Sequence, residues 1–165
     1  LAAPLQWNDG QRPRQAWLDE GTLAEVQPSP EGAAALRELD PEARLTPASP
    51  RVALWRLSKA SAARLLPVLE ARLPGHFAPV FHDEPSPASK LRVPAGGVLL
   101  WLHSPEQAAG LLKQHRLALK RDFGAGTLMI DSAPGEATLA LAAALRADPR
   151  VRAVTPNWWL RASRR

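Results

Sequence analysis

A repeated order of predicted secondary structure constrains this chain of 165 residues more than any other feature of its sequence. In the first block, residues 18–85, a strand-like run ends at Pro28-Ser29-Pro30. Ser29 is placed to cap a short helix that has Pro30 at its first position. Two strands, a longer helix and a last strand follow. The predicted elements of this block are residues 17–27, 31–39, 43–45, 51–57, 59–73 and 76–82.

The second block, residues 86–157, repeats this order after a stretch rich in proline and serine. Its first helix begins with Ser104-Pro105, and Gln107 lies three residues after the serine, as in a capping box. Gly124-Ala125-Gly126 joins two strands as a hairpin turn, and Asp148-Pro149 stops the second helix. The predicted elements are residues 97–102, 104–115, 117–123, 127–131, 135–147 and 150–154.

Each block therefore has the order β-α-β-β-α-β, which is typical of a four-stranded antiparallel sheet with two helices on one face. The sequence predicts an α+β protein made of two tandem ferredoxin-like domains, residues 18–85 and 86–157. The two blocks differ in sequence, so the repeat is one of architecture. Residues 1–17 show no clear period and are predicted to be an irregular lead-in, and residues 158–165 to be an extended C-terminal tail.

Composition limits the chemistry that is open to the chain. It contains no cysteine, which excludes disulfides and thiolate chemistry within it and fits a secreted or periplasmic bacterial protein. Hydrophobic residues make up 45% of the sequence, enough for a core, and no apolar run is long enough for a membrane-spanning helix. The formal net charge is +5, but the arginines are scattered, and only residues 161–165 form a basic cluster.

No catalytic motif is present in the sequence. The four histidines, His76, His82, His103 and His115, have no partner at the spacing of a metal site. No Gly-x-Ser-x-Gly elbow presents a serine nucleophile. We therefore expect no enzymatic activity, no metal and no cofactor.

The most distinctive segment is residues 148–157, in which a helix ends at Asp148-Pro149 and a short strand leads to Thr155-Pro156-Asn157. Two adjacent tryptophans, Trp158 and Trp159, open the tail that follows. Exposed apolar surface of this kind usually marks a contact with a partner.

Residues 97–157 resemble the inhibitor pro-domain of subtilisin-like serine proteases. Members of that family have a strand, a helix, a hairpin and a helix ending in Asp-Pro, followed by Val-x-x-Val-x-Pro-Asn. This chain supplies Asp148-Pro149 and Val151-Arg152-Ala153-Val154-Thr155-Pro156-Asn157 in the same order. The resemblance implies a folding chaperone and inhibitor whose partner is a subtilisin-like serine protease, encoded in the same precursor or separately.

The resemblance also implies which residues meet the protease. The open sheet face is expected to dock on two protease helices, and the tail is expected to lie in the substrate cleft as an added strand. Thr155 and Asn157 stand where many members have acidic residues that cap those helices. The tail residues are Trp158, Trp159, Leu160, Arg161, Ala162, Ser163, Arg164 and Arg165, of which one of the last three would enter the primary pocket. The sheet face is assigned to Leu100, Leu102, Thr127, Met129, Val151 and Ala153, or to the alternate set if the strand phase is reversed.

Two other interpretations remain open at this point. The charge of +5 is also compatible with a module that binds nucleic acid or an acidic partner without inhibiting a protease. Nucleic acid is the weaker of these alternatives, because the basic residues are not clustered. A docking domain without inhibitory activity is the second.

Overall fold

The computed structural model describes residues 3–161, which form nine strands and four helices. A single 3-10 turn, Pro105–Gln107, precedes the third helix. In chain order the elements are β1 Leu5–Asp9, β2 Arg12–Val26, α1 Pro30–Leu39, β3 Arg44–Pro47, β4 Val52–Arg56, α2 Ala62–Arg72, β5 Phe77–His82, β6 Leu91–Leu102, α3 Ala108–Gln114, β7 Leu119–Gly124, β8 Thr127–Ile130, α4 Glu136–Arg146 and β9 Val151–Leu160.

The nine strands belong to one antiparallel sheet that curls like half a barrel, so the prediction of two tandem ferredoxin-like domains is wrong. The main path through the sheet is β3-β4-β2-β5-β6-β8-β7, with β1 beside β2 and β9 beside β6. The two halves are joined where β5 pairs with β6, Phe81 opposite Arg92 and His82 opposite Leu91.

The physical reason for this difference lies in the stretch rich in proline and serine. Its residues form a loop between two paired strands rather than a linker, and β6 begins at Leu91 instead of residue 97. The additional residues of β6 give the first half a strand to pair with. A shared ladder of main-chain hydrogen bonds therefore replaces the expected boundary between domains.

The lead-in is also ordered. Asp9 pairs with Arg12 across a two-residue turn, and Gly10 adopts a φ of +65°, which glycine tolerates without strain. The β1–β2 hairpin that results buries Trp7, which is 6% exposed. The two turn residues are Gly10 and Gln11, and glycine at the first central position is a recognised hairpin signal.

Serine caps begin the helices much as the sequence indicates. The Ser29 hydroxyl accepts a hydrogen bond from the Gly32 N–H at 3.0 Å, and Ser104 and Gln107 form the expected capping box. The second helix is capped by Ser61 and begins at Ala62, three residues later than the predicted start at residue 59. None of the helices within residues 3–161 has the length and apolar character needed to cross a membrane.

The helices lie on one face of the sheet in each half and build two cores there. Around α1 and α2 the core is centred on Leu23, Leu36, Trp55 and Leu69. Around α3 and α4 it is centred on Leu100, Leu111, Leu128 and Leu145. The opposite face of the sheet has no helix and differs between the halves.

Candidate docking surface

The helix-free face of the second half is assigned by the pairing of its strands. Directly opposed residues share a face, and Leu99 lies opposite both Met129 of β8 and Thr155 of β9. Two residues further along β6, Trp101 lies opposite Thr127 and Ala153. We call these six residues, Leu99, Trp101, Thr127, Met129, Ala153 and Thr155, the open face.

The edge strand β7 extends the open face. Arg121 lies opposite Met129, and its guanidinium stacks over the Phe123 ring at 4.9 Å from the centroid. Phe123 is 49% exposed, more than any other large hydrophobic residue among those described. The open face thus ends in an exposed ring beside a cation, at the outer edge of the sheet.

Five of the six residues of the open face are partly exposed, and none is covered by a helix within residues 3–161. Leu99, Trp101 and Met129 are partly exposed, whereas Ala153 is 9% exposed. A contiguous apolar strip of this kind is a common feature of protein–protein contact sites. The sequence placed Leu99 and Trp101 only in the alternate set for a reversed strand phase, and it did not identify Arg121.

The six residues that the sequence assigned to a sheet face do not share one face. Thr127, Met129 and Ala153 belong to the open face. Leu100, Leu102 and Val151 lie instead in the core beneath α3 and α4. A register shift separates the pairs Trp101–Ala153 and Leu102–Val151, so Val151 and Ala153 point to opposite faces although they are two residues apart.

Both residues proposed as contacts to helix ends already have partners inside the chain. The Thr155 hydroxyl accepts a hydrogen bond from the Gly10 N–H at 2.5 Å. The Asn157 side-chain amide donates to the Gly96 carbonyl at 2.9 Å. The Thr155 hydroxyl oxygen keeps a second acceptor position for a partner.

The first three residues assigned to the tail are part of β9. Trp158 pairs with Pro94, Trp159 with Val93 and Leu160 with Arg92. The Trp158 ring packs edge-on against Trp7 at 5.2 Å between ring centroids, and against Phe81 at 5.9 Å. Trp159 packs on the helix-free side of the first half. The two tryptophans therefore hold the halves together rather than projecting into solvent.

The chain leaves the sheet at Arg161, whose N–H donates to the Leu91 carbonyl at 3.3 Å. Leu160 is 43% exposed. Ala162, Ser163, Arg164 and Arg165, including the three candidates for the primary pocket, lie outside the described residues.

The Asp148-Pro149-Arg150 segment has a structural role on the helix side. Asp148 accepts hydrogen bonds from the Arg150 side chain at 2.8 and 3.0 Å and pairs with His115 at 2.8 Å. The Arg150 guanidinium, assisted by His115, holds the pKa of the largely buried Asp148 carboxyl well below its usual value. This network ties the C-terminal ends of α3 and α4 to the start of β9.

Three histidines pair with carboxylates rather than with each other. Besides the His115 pair, His76 lies 2.7 Å from Glu25 and His82 lies 2.7 Å from Asp19. Within residues 3–161, no group of three or more His, Cys, Asp or Glu side chains is arranged to hold a metal ion.

Comparison with known proteins adds no further assignment. A scan against protein-family models, a search of curated proteins and a search of solved structures each return no match to this chain.

Proposed function

We propose that this chain binds a subtilisin-like serine protease and acts as its folding chaperone and inhibitor. The proposal is supported by the resemblance of residues 97–157 to the pro-domains of such proteases. It is also supported by the open face, a largely apolar strip of side chains on a helix-free sheet surface. The open face is the single observation on which the proposal depends most.

The chaperone role follows from the shape and chemistry of that face. An apolar sheet surface without a covering helix can pack against the sides of two helices, and burial of Leu99, Trp101, Met129 and Phe123 would supply most of the binding energy. A ligand that binds only the folded state of its partner stabilises that state in proportion to its concentration and affinity. Binding to the open face would thereby favour the folded protease.

The inhibitory role needs a segment that reaches the substrate cleft. The placement of Trp158 and Trp159 inside the sheet moves this role away from the tryptophans. We assign it instead to Leu160 and Arg161, at the end of β9, together with residues 162–165 of the sequence, which would enter the cleft as an added strand.

The decisive experiment compares two charged substitutions at exposed apolar positions. Met129→Asp places a carboxylate on the open face, and Leu45→Asp places one on the edge strand β3, where Leu45 is 44% exposed. We expect Met129→Asp to weaken inhibition of a subtilisin-like protease by roughly a hundredfold, equivalent to about 2.7 kcal/mol. Leu45→Asp should leave the inhibition constant within about twofold of the unsubstituted protein.

The same pair of variants tests the chaperone role by a second measurement. Refolding yield of the denatured protease should fall with Met129→Asp and stay constant with Leu45→Asp. Binding that is retained without inhibition would identify a docking domain instead. Equal inhibition by both variants would remove the open face from the proposal.

Salt dependence distinguishes the remaining alternative, a module for nucleic acid or an acidic partner. Binding through phosphate contacts weakens steeply between about 50 and 200 mM salt. Burial of the open face should change affinity little over that range. A steep loss of binding with salt would favour the alternative.

A further inference from the structure

A cavity of ≈110 Å³ lies between β1, α4 and β9. Its β9 residues, Val154 and Pro156, lie opposite Leu100 and Val98, which face the helices. The cavity is therefore on the helix side of the sheet, away from the open face. Its walls are mainly apolar and include Leu5, Leu139 and Val154.

The polar side chains that line the cavity include no carboxylate; they are Gln6, Trp7, Asn8 and Arg146. Trp7 forms part of the wall and is 6% exposed, so its signals report on occupancy of the cavity. Arg146 also borders the cavity; its guanidinium donates one hydrogen bond to the Asn8 side chain, which leaves further N–H groups free to bind a ligand. No Asp or Glu is among the lining residues.

This combination specifies the chemistry of a ligand. Apolar walls favour an apolar group, because its transfer from water is favourable. A guanidinium binds a carboxylate more strongly than a neutral acceptor, because the hydrogen bonds are charge-assisted.

We propose that the cavity binds a small carboxylic acid with a short branched apolar chain. A cavity of about 150 Å³ is known to accommodate benzene, so ≈110 Å³ suits a ligand of roughly six non-hydrogen atoms. The branched chain contacts the apolar wall, and the carboxylate accepts from Arg146. The site does not depend on the proposed function, because it lies on the other side of the sheet.

The probe is isobutyrate, compared with the neutral isobutyramide of similar size. The indole N–H of Trp7 is followed by ¹H–¹⁵N NMR, with Trp7→Phe used to assign its signal. We expect isobutyrate to shift this signal saturably, with a Kd on the order of 1 mM. Isobutyramide should bind about tenfold more weakly, and Arg146→Gln should remove that difference.

Two alanines of α4 provide a matched pair of control variants. Ala143 borders the cavity and Ala144 does not, and both are exposed. Ala143→Leu should fill the cavity and abolish the isobutyrate shift, whereas Ala144→Leu should preserve it. The proposal is overturned if the Trp7 signal does not respond to isobutyrate, or if Ala143→Leu and Arg146→Gln both respond as the unsubstituted protein does. The proposal is overturned as well if the Trp7 signal keeps its isobutyrate-free position at every isobutyrate concentration.

Discussion

The two halves of this sheet have the same order of elements, yet their helix-free faces differ in how far the side chains are exposed to solvent. In the first half that face is closed. Its residues Ala24, Ala78, Val80 and Val93 are each 0% exposed, and Val52 and Leu54 are at most 4% exposed. In the second half the equivalent face carries Leu99, Trp101 and Met129, all partly exposed, and it continues into Phe123 at the sheet edge.

The difference follows from side-chain size and from what covers each face. The first half places mostly small side chains on this face, and Trp159 of β9 packs against them. The second half places large side chains on the same side without a covering element. Only the second half therefore presents a surface with free energy left to gain by burial, which is why we place partner binding there.

The largest expected difference between the halves is the response of their helix-free faces to an introduced carboxylate. Val80→Asp places an unpaired carboxylate at a fully buried position, and we expect a loss of about 4 kcal/mol, a large part of the stability of a typical domain. Met129→Asp, on the open face, should cost no more than about 1 kcal/mol. Urea unfolding of both variants measures the difference. Comparable losses would show that the second face is as closed as the first.

The next largest effect concerns the seam between the halves. Trp158→Ala removes a ring that contacts both Trp7 and Phe81, and we expect a loss of about 3 kcal/mol. Trp101→Ala, on the open face, should lose about 1 kcal/mol and weaken protease binding instead. The midpoint of urea unfolding and the inhibition constant should be measured on both variants. A Trp158→Ala protein that is as stable as Trp101→Ala would mean that Trp158 does not join the halves.

The same seam changes what truncation is expected to do. Deletion from Trp158 onward removes the pairing of β9 with residues 92–94 as well as the aromatic contacts. An extended tail, as the sequence predicts for residues 158–165, could be removed without loss of stability, whereas the paired β9 cannot.

Local signals in the sequence were sufficient for the elements themselves. Ser29, Ser104 and Gln107 begin their helices as expected, and Asp148-Pro149 ends α4. These features depend on interactions within one turn of helix, so neighbouring residues determine them. The repeated order of strands and helices could therefore be predicted.

The pairing between distant strands could not be predicted from the sequence. Thr155-Pro156-Asn157 has the composition of a turn, yet β9 continues through it, because the Pro156–Val98 pair lies next to a register shift in β6. Gly96 and Gly97 at that shift have φ values of +104° and +84°, a conformation that suits glycine. Nothing within residues 155–157 reveals that partner. The merging of the two sheets and the division of the predicted face between two sides arise in the same way, from long-range register.

The smallest of these effects concerns the helix side of the second half, which the comparison treats as independent of the open face. Asp148→Asn keeps the shape of the side chain but removes the charge that the Arg150 guanidinium and His115 hold. Because the pKa of Asp148 is lower in the folded state than the unfolded value of about 3.9, the carboxylate contributes its full stability above that pH. The contribution is lost as pH falls through the lower folded-state pKa.

We expect Asp148→Asn to lower the free energy of unfolding by about 2 kcal/mol at pH 7, with the difference from the unsubstituted protein shrinking below about pH 4. Asp131→Asn, at an exposed position, should differ by less than about 0.5 kcal/mol at either pH. Urea unfolding at pH 7 and pH 3 measures both variants, and protease inhibition at pH 7 should be unchanged in the folded Asp148→Asn protein. A penalty that stays constant as the pH falls would mean that charge is not what the network contributes, and weaker inhibition would mean that the two sides of the sheet are coupled.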